Sequence, residues 1–408
     1  MNLACAFAGL FVAVTFPALA NAAEPLFPPN GTDQPNQLVR SSAPACTDPP
    51  ERDGATVAAK YLGGLEFLGP QLGLAVTSPW RNCPTPSGPG HGGEVTVQES
   101  ALHLASTSDG GRRWNVVGHA LPPASSWTSP PIELAFVSRQ RGWALDGGLL
   151  VGTTDGGKHW HTVALGRDVL SLARTGQSVV ALASTCPAGA FERACPLSLW
   201  TASPGRWQWR DSPALPVDDV NAGILFASGP SAGDALVALE NETGAPLLAT
   251  TDGGRHWIRL IDPCTAPAWE QPATVAVAPS GQRFILCLGS AAAGSSTKAL
   301  YAESPGGGSW TQQSALNSLD APFSPDGLPG SEPGVLAAPS SAGLWLSTTN
   351  GVSGSNDSGT RWSLPSGMAL EGSGQFGVFD FLRPDLGWFL AAGSGVWRTT
   401  DGVTWRRL

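Results

Sequence analysis

The chain is short of charge. Of its 408 residues only 13% are Asp, Glu, Lys or Arg, and acids outnumber bases 32 to 23 for a formal net charge of -9. A general nucleic-acid binder needs a basic face to displace counterions, so that class is excluded. Methionine occurs twice, while glycine (51) and proline (36) together make up about a fifth of the chain. The usual share is about 12%, and such an excess rules out a long helical bundle or coiled coil. No C-x-x-C occurs and no histidine sits at ligand spacing from a cysteine, which removes the usual zinc frameworks. Nowhere is there a run of ~18 consecutive apolar residues long enough to span a bilayer.

The N-terminus carries a shorter apolar run, residues 3–16, followed by PALANA at 17–22. This has the length of a signal-peptide core and offers cleavage after Ala20 or Ala22. The expectation is a signal peptide over 1–22 and an exported protein, secreted, periplasmic or at the cell surface. A Pro-rich arm then covers 23–56. Six cysteines remain in the mature chain: Cys46, Cys83, Cys186, Cys195, Cys264 and Cys287. An even count fits an oxidising compartment. Sequence leaves about fifteen pairings open. Nearness favours Cys186–Cys195 and Cys264–Cys287, leaving Cys46–Cys83.

Internal periodicity dominates the remainder. TSDGGRRW at 107–114 recurs as TTDGGKHW at 153–160, TTDGGRHW at 250–257 and SNDSGTRW at 355–362. A shortened copy, TTDGVTW, occupies 399–405, and eroded copies end at Trp207 and Trp310. Glycine permits the positive φ of a tight turn, and Asp and Ser/Thr accept backbone N–H groups within it. Tryptophan then opens the next strand and supplies a large apolar body. A second pattern places Phe67, Phe136 and Phe381 six residues before Gly73, Gly142 and Gly387, as two strands joined by a turn. The prediction is an all-β, single seven-bladed propeller of four-stranded antiparallel blades over 57–408. Blades are expected at 57–118, 130–165, 166–212, 217–262, 271–315, 332–366 and 374–408. Insertions at 81–98 and 316–332 read as surface loops. Ring closure is expected from packing or from a strand supplied by residues 24–56.

The pattern [S/T]-x-D-x-G-x-x-W resembles the Asp-box, or BNR, repeat of β-propellers. That family includes sialidases, sortilin-type receptors, xyloglucan-cleaving glycosidases and the photosystem II assembly factor group, the last being similar in its G-W and T-T-D-G-G segments. The resemblance implies structural roles for Asp109, Trp114, Asp155, Trp160, Asp252, Trp257, Asp357, Trp362, Asp401 and Trp405. Box carboxylates set apart around a ring are too distant for paired acid–base chemistry. A sialidase would also need an arginine cluster and a nucleophilic tyrosine, and only Tyr61 and Tyr301 are present.

Other candidates are weaker. GPSAG at 229–233 matches G-x-S-x-G but falls where the repeat places a hairpin. His159 and His161 form a possible metal pair. Trp127 and Trp269, outside the boxes, are candidates for stacking on sugars. Glu66 and Asp380 each precede an aligned Phe; when blades one and seven close the ring they are candidates to lie close together and bind a cation, against the reading that both are ordinary polar strand positions. Arg112, Arg113, Lys158, Arg206, Arg255 and Arg361 precede box tryptophans and form a candidate cationic rim for an anionic partner. The expected function is that of an exported, non-catalytic and monomeric scaffold for a protein or glycan ligand, without cofactor. It makes no nucleic-acid contact, has no transmembrane segment and touches membranes at most peripherally. The alternative is a carbohydrate-active enzyme of sialidase or glycosidase type, or a carbohydrate-binding module.

Overall fold

A computed structural model describes residues 53–408, apart from 78–79, 85–94, 100, 123–131, 177, 185–195, 203–207, 216–223, 230–233, 240–246, 266–268, 270, 293–294, 305–306, 319–326, 350, 366–367, 369–376 and 392–393. The signal peptide, nearly all of the arm, Cys46, Cys186, Cys195, Arg206, Trp207 and Trp127 lie outside the described residues. So do the side chain of Cys83 and the centre of the GPSAG segment.

Seven small antiparallel sheets form a seven-bladed β-propeller. Their first strands are Leu62–Phe67, Glu133–Phe136, Asp168–Thr175, Ile224–Ser228, Gln271–Val277, Pro333–Ala337 and Val378–Arg383. Each touches the first strand of the next blade, and the seventh returns to the first, so these strands line the central axis. Second strands are the most buried, in some blades along their whole length, as in Gly73–Thr77 and Ser178–Ser184. They read as near-continuous runs of small and aliphatic residues because both faces pack against neighbouring blades, leaving no side to alternate with polar residues.

Two blades depart from four strands. Thr56–Val57 adds a fifth strand outside Trp114–Ala120 in blade one. Blade six has three strands, and a single bridge between Gly354 and Ser363 takes the place of the fourth. Blade seven is built wholly from Val378–Arg407, so the ring closes by packing and not by strand exchange. At that seam Phe67 stacks on Trp388 with ring centroids 3.6 Å apart, and Trp388 Nε1 donates to Gly110 O at 2.9 Å. The strand from the N-terminal side therefore widens its own blade instead of completing the last one.

The T-x-D-G-G turns repeat one hydrogen-bond pattern. In blade two, Thr153 Oγ1 accepts from Gly157 N at 2.9 Å, and Asp155 Oδ1 accepts from His159 N at 3.0 Å. Gly157 has φ +90°, and a Cβ there would stand 2.3 Å from Leu104 Cδ2 of blade one. The glycine thus serves both the turn and its close approach to the preceding blade. Desolvation raises the pKa of Asp155, but the His159 backbone and side chain and the Thr153 hydroxyl outweigh it and hold the carboxyl at about 2. A depressed carboxyl contributes stability that is present above its unfolded value and lost as pH falls through the folded one. Asp155→Ala should therefore cost about 1–3 kcal/mol at neutral pH, by loss of hydrogen bonds to a turn. Denaturant melts should show this deficit shrinking between about pH 4 and pH 2; an undiminished melting point would remove the turn from the stability of the fold.

Blade three shifts the expected register. Ala202 pairs with Trp209, the same seven-residue step that separates Thr107 from Trp114 and Thr153 from Trp160. Trp209 also packs edge-on against Trp143 at 5.6 Å, much as Trp160 meets Phe136. Trp209, not Trp207, thus takes the place of the box tryptophan. Trp207 and Gln208 then fall at the two preceding positions, and Arg206 drops out of equivalence with the other rim cations.

The described parts of both insertions make specific contacts. Trp80–Pro84 and Val95–Glu99 pair as a separate two-stranded ribbon between the second and third strands of blade one. Beyond blade five, Leu328 is fully buried, and Lys298 donates its ammonium to the carbonyls of Pro329, Gly330 and Ser331. Burial lowers the Lys298 pKa to about 7, with Glu332 opposing. Lys298→Met would leave those carbonyls without a buried donor and should cost about 1–3 kcal/mol, read as a lower denaturant midpoint. Cys264 and Cys287 form a disulfide as predicted. Trp269 is buried in the adjoining core and donates Nε1 to Tyr301 Oη at 2.8 Å, so it is not a sugar-stacking platform.

Candidate functional site

The axis collects the charged groups that the repeat does not explain. Side chains on the first strands reach the backbone of the next blade. Asp380 of blade seven accepts from Phe67 N. Glu66 of blade one accepts from Phe136 N at 2.6 Å. Glu133 of blade two accepts from Leu172 N, and from Ser171 Oγ at 3.1 Å. In blade five, Thr274 Oγ1 accepts from Leu336 N at 3.2 Å. A first strand has its second strand on one side and only the axis on the other, so these amides lack a ladder partner, and a side chain supplies one.

Arg174 of blade three reaches past blade two to blade one. Its Nε lies 3.0 Å from Glu66 Oε1, and its Nη2 donates to Phe67 O at 3.4 Å. Burial pushes Glu66 up to about 8 despite Arg174, and repulsion from Asp380 adds to it. Burial likewise raises Asp380 to about 6, opposed by the Phe67 amide and Arg174, and Glu133 to about 7, opposed by Leu172 N and Ser171. One guanidinium thus faces two carboxyls, Glu66 buried and Asp380 half-buried, and the pair retains a proton near neutrality. Of the two readings for Glu66 and Asp380, the structure has the pair close enough at the seam to repel each other. The occupant is Arg174, so the seam is a salt-bridged cluster and not a cation site.

Across the axis the wall carries more aliphatic side chains. A cavity of about 370 Å³ is lined by Phe226, Val275, Val277 and Val335 together with the polar Glu133 and Thr274. No helix among the described residues is long and apolar enough to cross a membrane.

The rim cations divide in two. Arg113, His159 and His256, at the position just before the tryptophan, turn back to their own box carboxylates: Arg113 Nε at 3.0 Å from Asp109, His159 Nδ1 at 2.6 Å from Asp155 and His256 Nδ1 at 2.5 Å from Asp252. Arg112, Lys158 and Arg255, one residue earlier, are exposed, as is Arg361. GPSAG lies between the antiparallel strands Ile224–Ser228 and Ala235–Leu239, a hairpin position without the following helix that a nucleophile elbow needs. Arg174 and Glu133 carry no signal in the repeat: Arg174 meets Phe67 across 107 residues of chain, and only the closed ring brings them together.

No family model matches the sequence, and no curated protein matches it. Solved structures share the fold. YCF48 bound to D1 peptide aligns with a TM-score of 0.51 at 15% identity, covering 86% of this chain and 95% of that one. YCF48 from Cyanidioschyzon merolae aligns at 0.50 and 14%, over 86% and 99%. An ancestral GH74 enzyme gives 0.56 at 11%, over 88% of this chain but only 47% of its own, so this chain spans about half the length of that enzyme.

Proposed function

We propose that this chain is an exported Asp-box propeller that binds a polypeptide segment and performs no chemistry on it. The observation that carries this reading is the commitment of the axial acids. Glu66, Glu133 and Asp380 accept backbone N–H groups of neighbouring blades, so they serve as inter-blade fasteners and not as an open acid–base pair. The concavity that remains mixes apolar side chains with polar surface in similar measure, a lining suited to both the side chains and the backbone of an extended segment. The likeness to YCF48 covers 86% of this chain and 95% of that one, and that protein is described bound to a peptide. Export is supported by the disulfide Cys264–Cys287 together with the leader-like N-terminus.

The test pairs a peptide-library screen on the mature protein with a panel of glycosidase and sialidase substrates. Val335→Asp, which places a charge on the apolar wall, should weaken peptide binding at least tenfold while leaving the fold intact. Turnover of any glycan, or peptide binding indifferent to Val335→Asp, would overturn the reading.

A further inference from the structure

The ladder between His103–Thr107 and Trp114–Ala120 in blade one contains an irregularity with a chemical consequence. His103 pairs with Ala120 and Leu104 with Val117, so Gly118 and His119 bulge out of the ladder. Gly118 has φ +65°, and a Cβ on it would lie 2.3 Å from Lys158 Cα. Only glycine lets this strand press so closely on the turn of blade two. Behind it, His119 N donates to Lys158 O at 3.3 Å. Bulges re-aim side chains, and this one brings the His119 ring to 5.5 Å from that of His159, centroid to centroid.

We propose that His119 and His159 form a two-histidine site for a borderline divalent metal ion, Zn²⁺, Ni²⁺ or Cu²⁺, at the rim between blades one and two. Two imidazoles sharing a tetrahedral ion at ~2.0–2.1 Å place their centroids about 5 Å apart, close to the separation here. One ligand already has an orienting partner. Asp155 can only accept, so the contact of 2.6 Å fixes the proton of His159 on Nδ1 and leaves Nε2 to face outward. A carboxylate behind a ligating histidine is the usual outer-shell arrangement, fixing the tautomer and raising basicity. Both histidines are exposed, the His159 side chain by 75%, so an ion has direct access. Lys158 opposes a cation here, while Asp155 and Asp53, whose Oδ1 accepts from Gly118 N at 3.1 Å, offset it. The described residues hold no group of three or more ligating side chains, so water completes the coordination. Such a donor set selects imidazole-preferring metals over Mg²⁺ and Ca²⁺. The partner of His159 in this site is thus a histidine of the neighbouring blade, where the sequence pattern offered His161.

The molecule contains its own control. His256 has the same contact with Asp252, but blade three contains no histidine to stand opposite it. Tag-free mature protein would be titrated with Zn²⁺, Ni²⁺ and Cu²⁺ at pH 8, by calorimetry and by histidine-ring NMR, beside His119→Asn, His159→Asn and His256→Asn. The expected result is one-to-one binding that weakens at least tenfold in the first two variants and is unchanged in the third. The ring signals of His119 and His159 should shift together, with His256 unmoved. Absence of binding in the wild type, or wild-type affinity in either His119→Asn or His159→Asn, would overturn the site. Melting curves without metal establish that each variant is folded.

Discussion

Replacing Arg174 with methionine should destabilise the propeller by about 3–5 kcal/mol at pH 8, and by much less at pH 5. Removing one member of a buried ion pair strands the other charge, and that loss is what the larger figure measures. Here two carboxyls at the seam between blades one and seven lose their cation, Glu66, which is buried, and Asp380, which is half-buried. At pH 5 both can hold protons and the missing guanidinium matters less. The triple variant Arg174→Met, Glu66→Gln, Asp380→Asn should therefore recover much of the loss at pH 8. If Arg174→Met is equally destabilised at both pH values, lost packing and not stranded charge is the cause.

The same groups set the pH profile of the wild type. A carboxyl whose folded pKa lies above its unfolded value holds its proton more tightly in the native state. Its contribution is greatest at low pH and is lost as pH rises through the window between the two values. For Asp380, Glu133 and Glu66 that window runs from about 4 up to about 6, 7 and 8. The box carboxylates act oppositely, and their contribution disappears as pH falls towards about 2. Denaturant midpoints should accordingly peak near pH 4–5 and decline towards pH 8. A maximum at pH 8 would mean that Arg174 keeps both seam carboxyls ionised.

These two sets of carboxylates differ in how far the chain itself reveals them. The box acids were readable because each turn is closed within eight residues, and its function as a turn is set by Thr, Asp and Gly at fixed offsets. Blade count followed, since each turn marks one blade. Blade three misled at Trp207 because the eroded copy lost its Asp; the seven-residue step from strand end to tryptophan was the surviving signal, and it points to Trp209. Glu66 and Asp380 were legible as neighbours because ring closure joins the first and last repeats. Arg174, Glu133 and the His119–His159 pair were not, for a common reason. Each depends on an inter-blade distance that local pattern does not encode, and in the last case on a bulge that displaces His119 from the regular ladder.

The disulfide supplies the other large effect, and it tests compartment and fold together. Cys264 lies in a short 3-10 turn, Pro263–Thr265, that follows blade four; Cys287 lies in the second strand of blade five. Their Cα atoms are 5.2 Å apart and the bond closes a loop of 23 residues. Both sulfurs lie in the core that holds Trp269, Ile285 and Leu236. Cross-linking a loop of this length stabilises by about 3 kcal/mol, chiefly by restricting the unfolded chain. Cys264→Ala with Cys287→Ala should lose that amount, and reduction of the wild type under native conditions should lose a similar amount. The deficit should be concentrated at the join of blades four and five. Hydrogen exchange should rise in 258–288 and not at the seam between blades one and seven, which has its own fasteners. A chain that folds to the same midpoint in reducing and oxidising buffer would show that the bond is dispensable, and would remove the disulfide as support for export. A deficit spread evenly over all seven blades would instead mean that the ring unfolds as one unit, with the bond acting on the whole through the unfolded state.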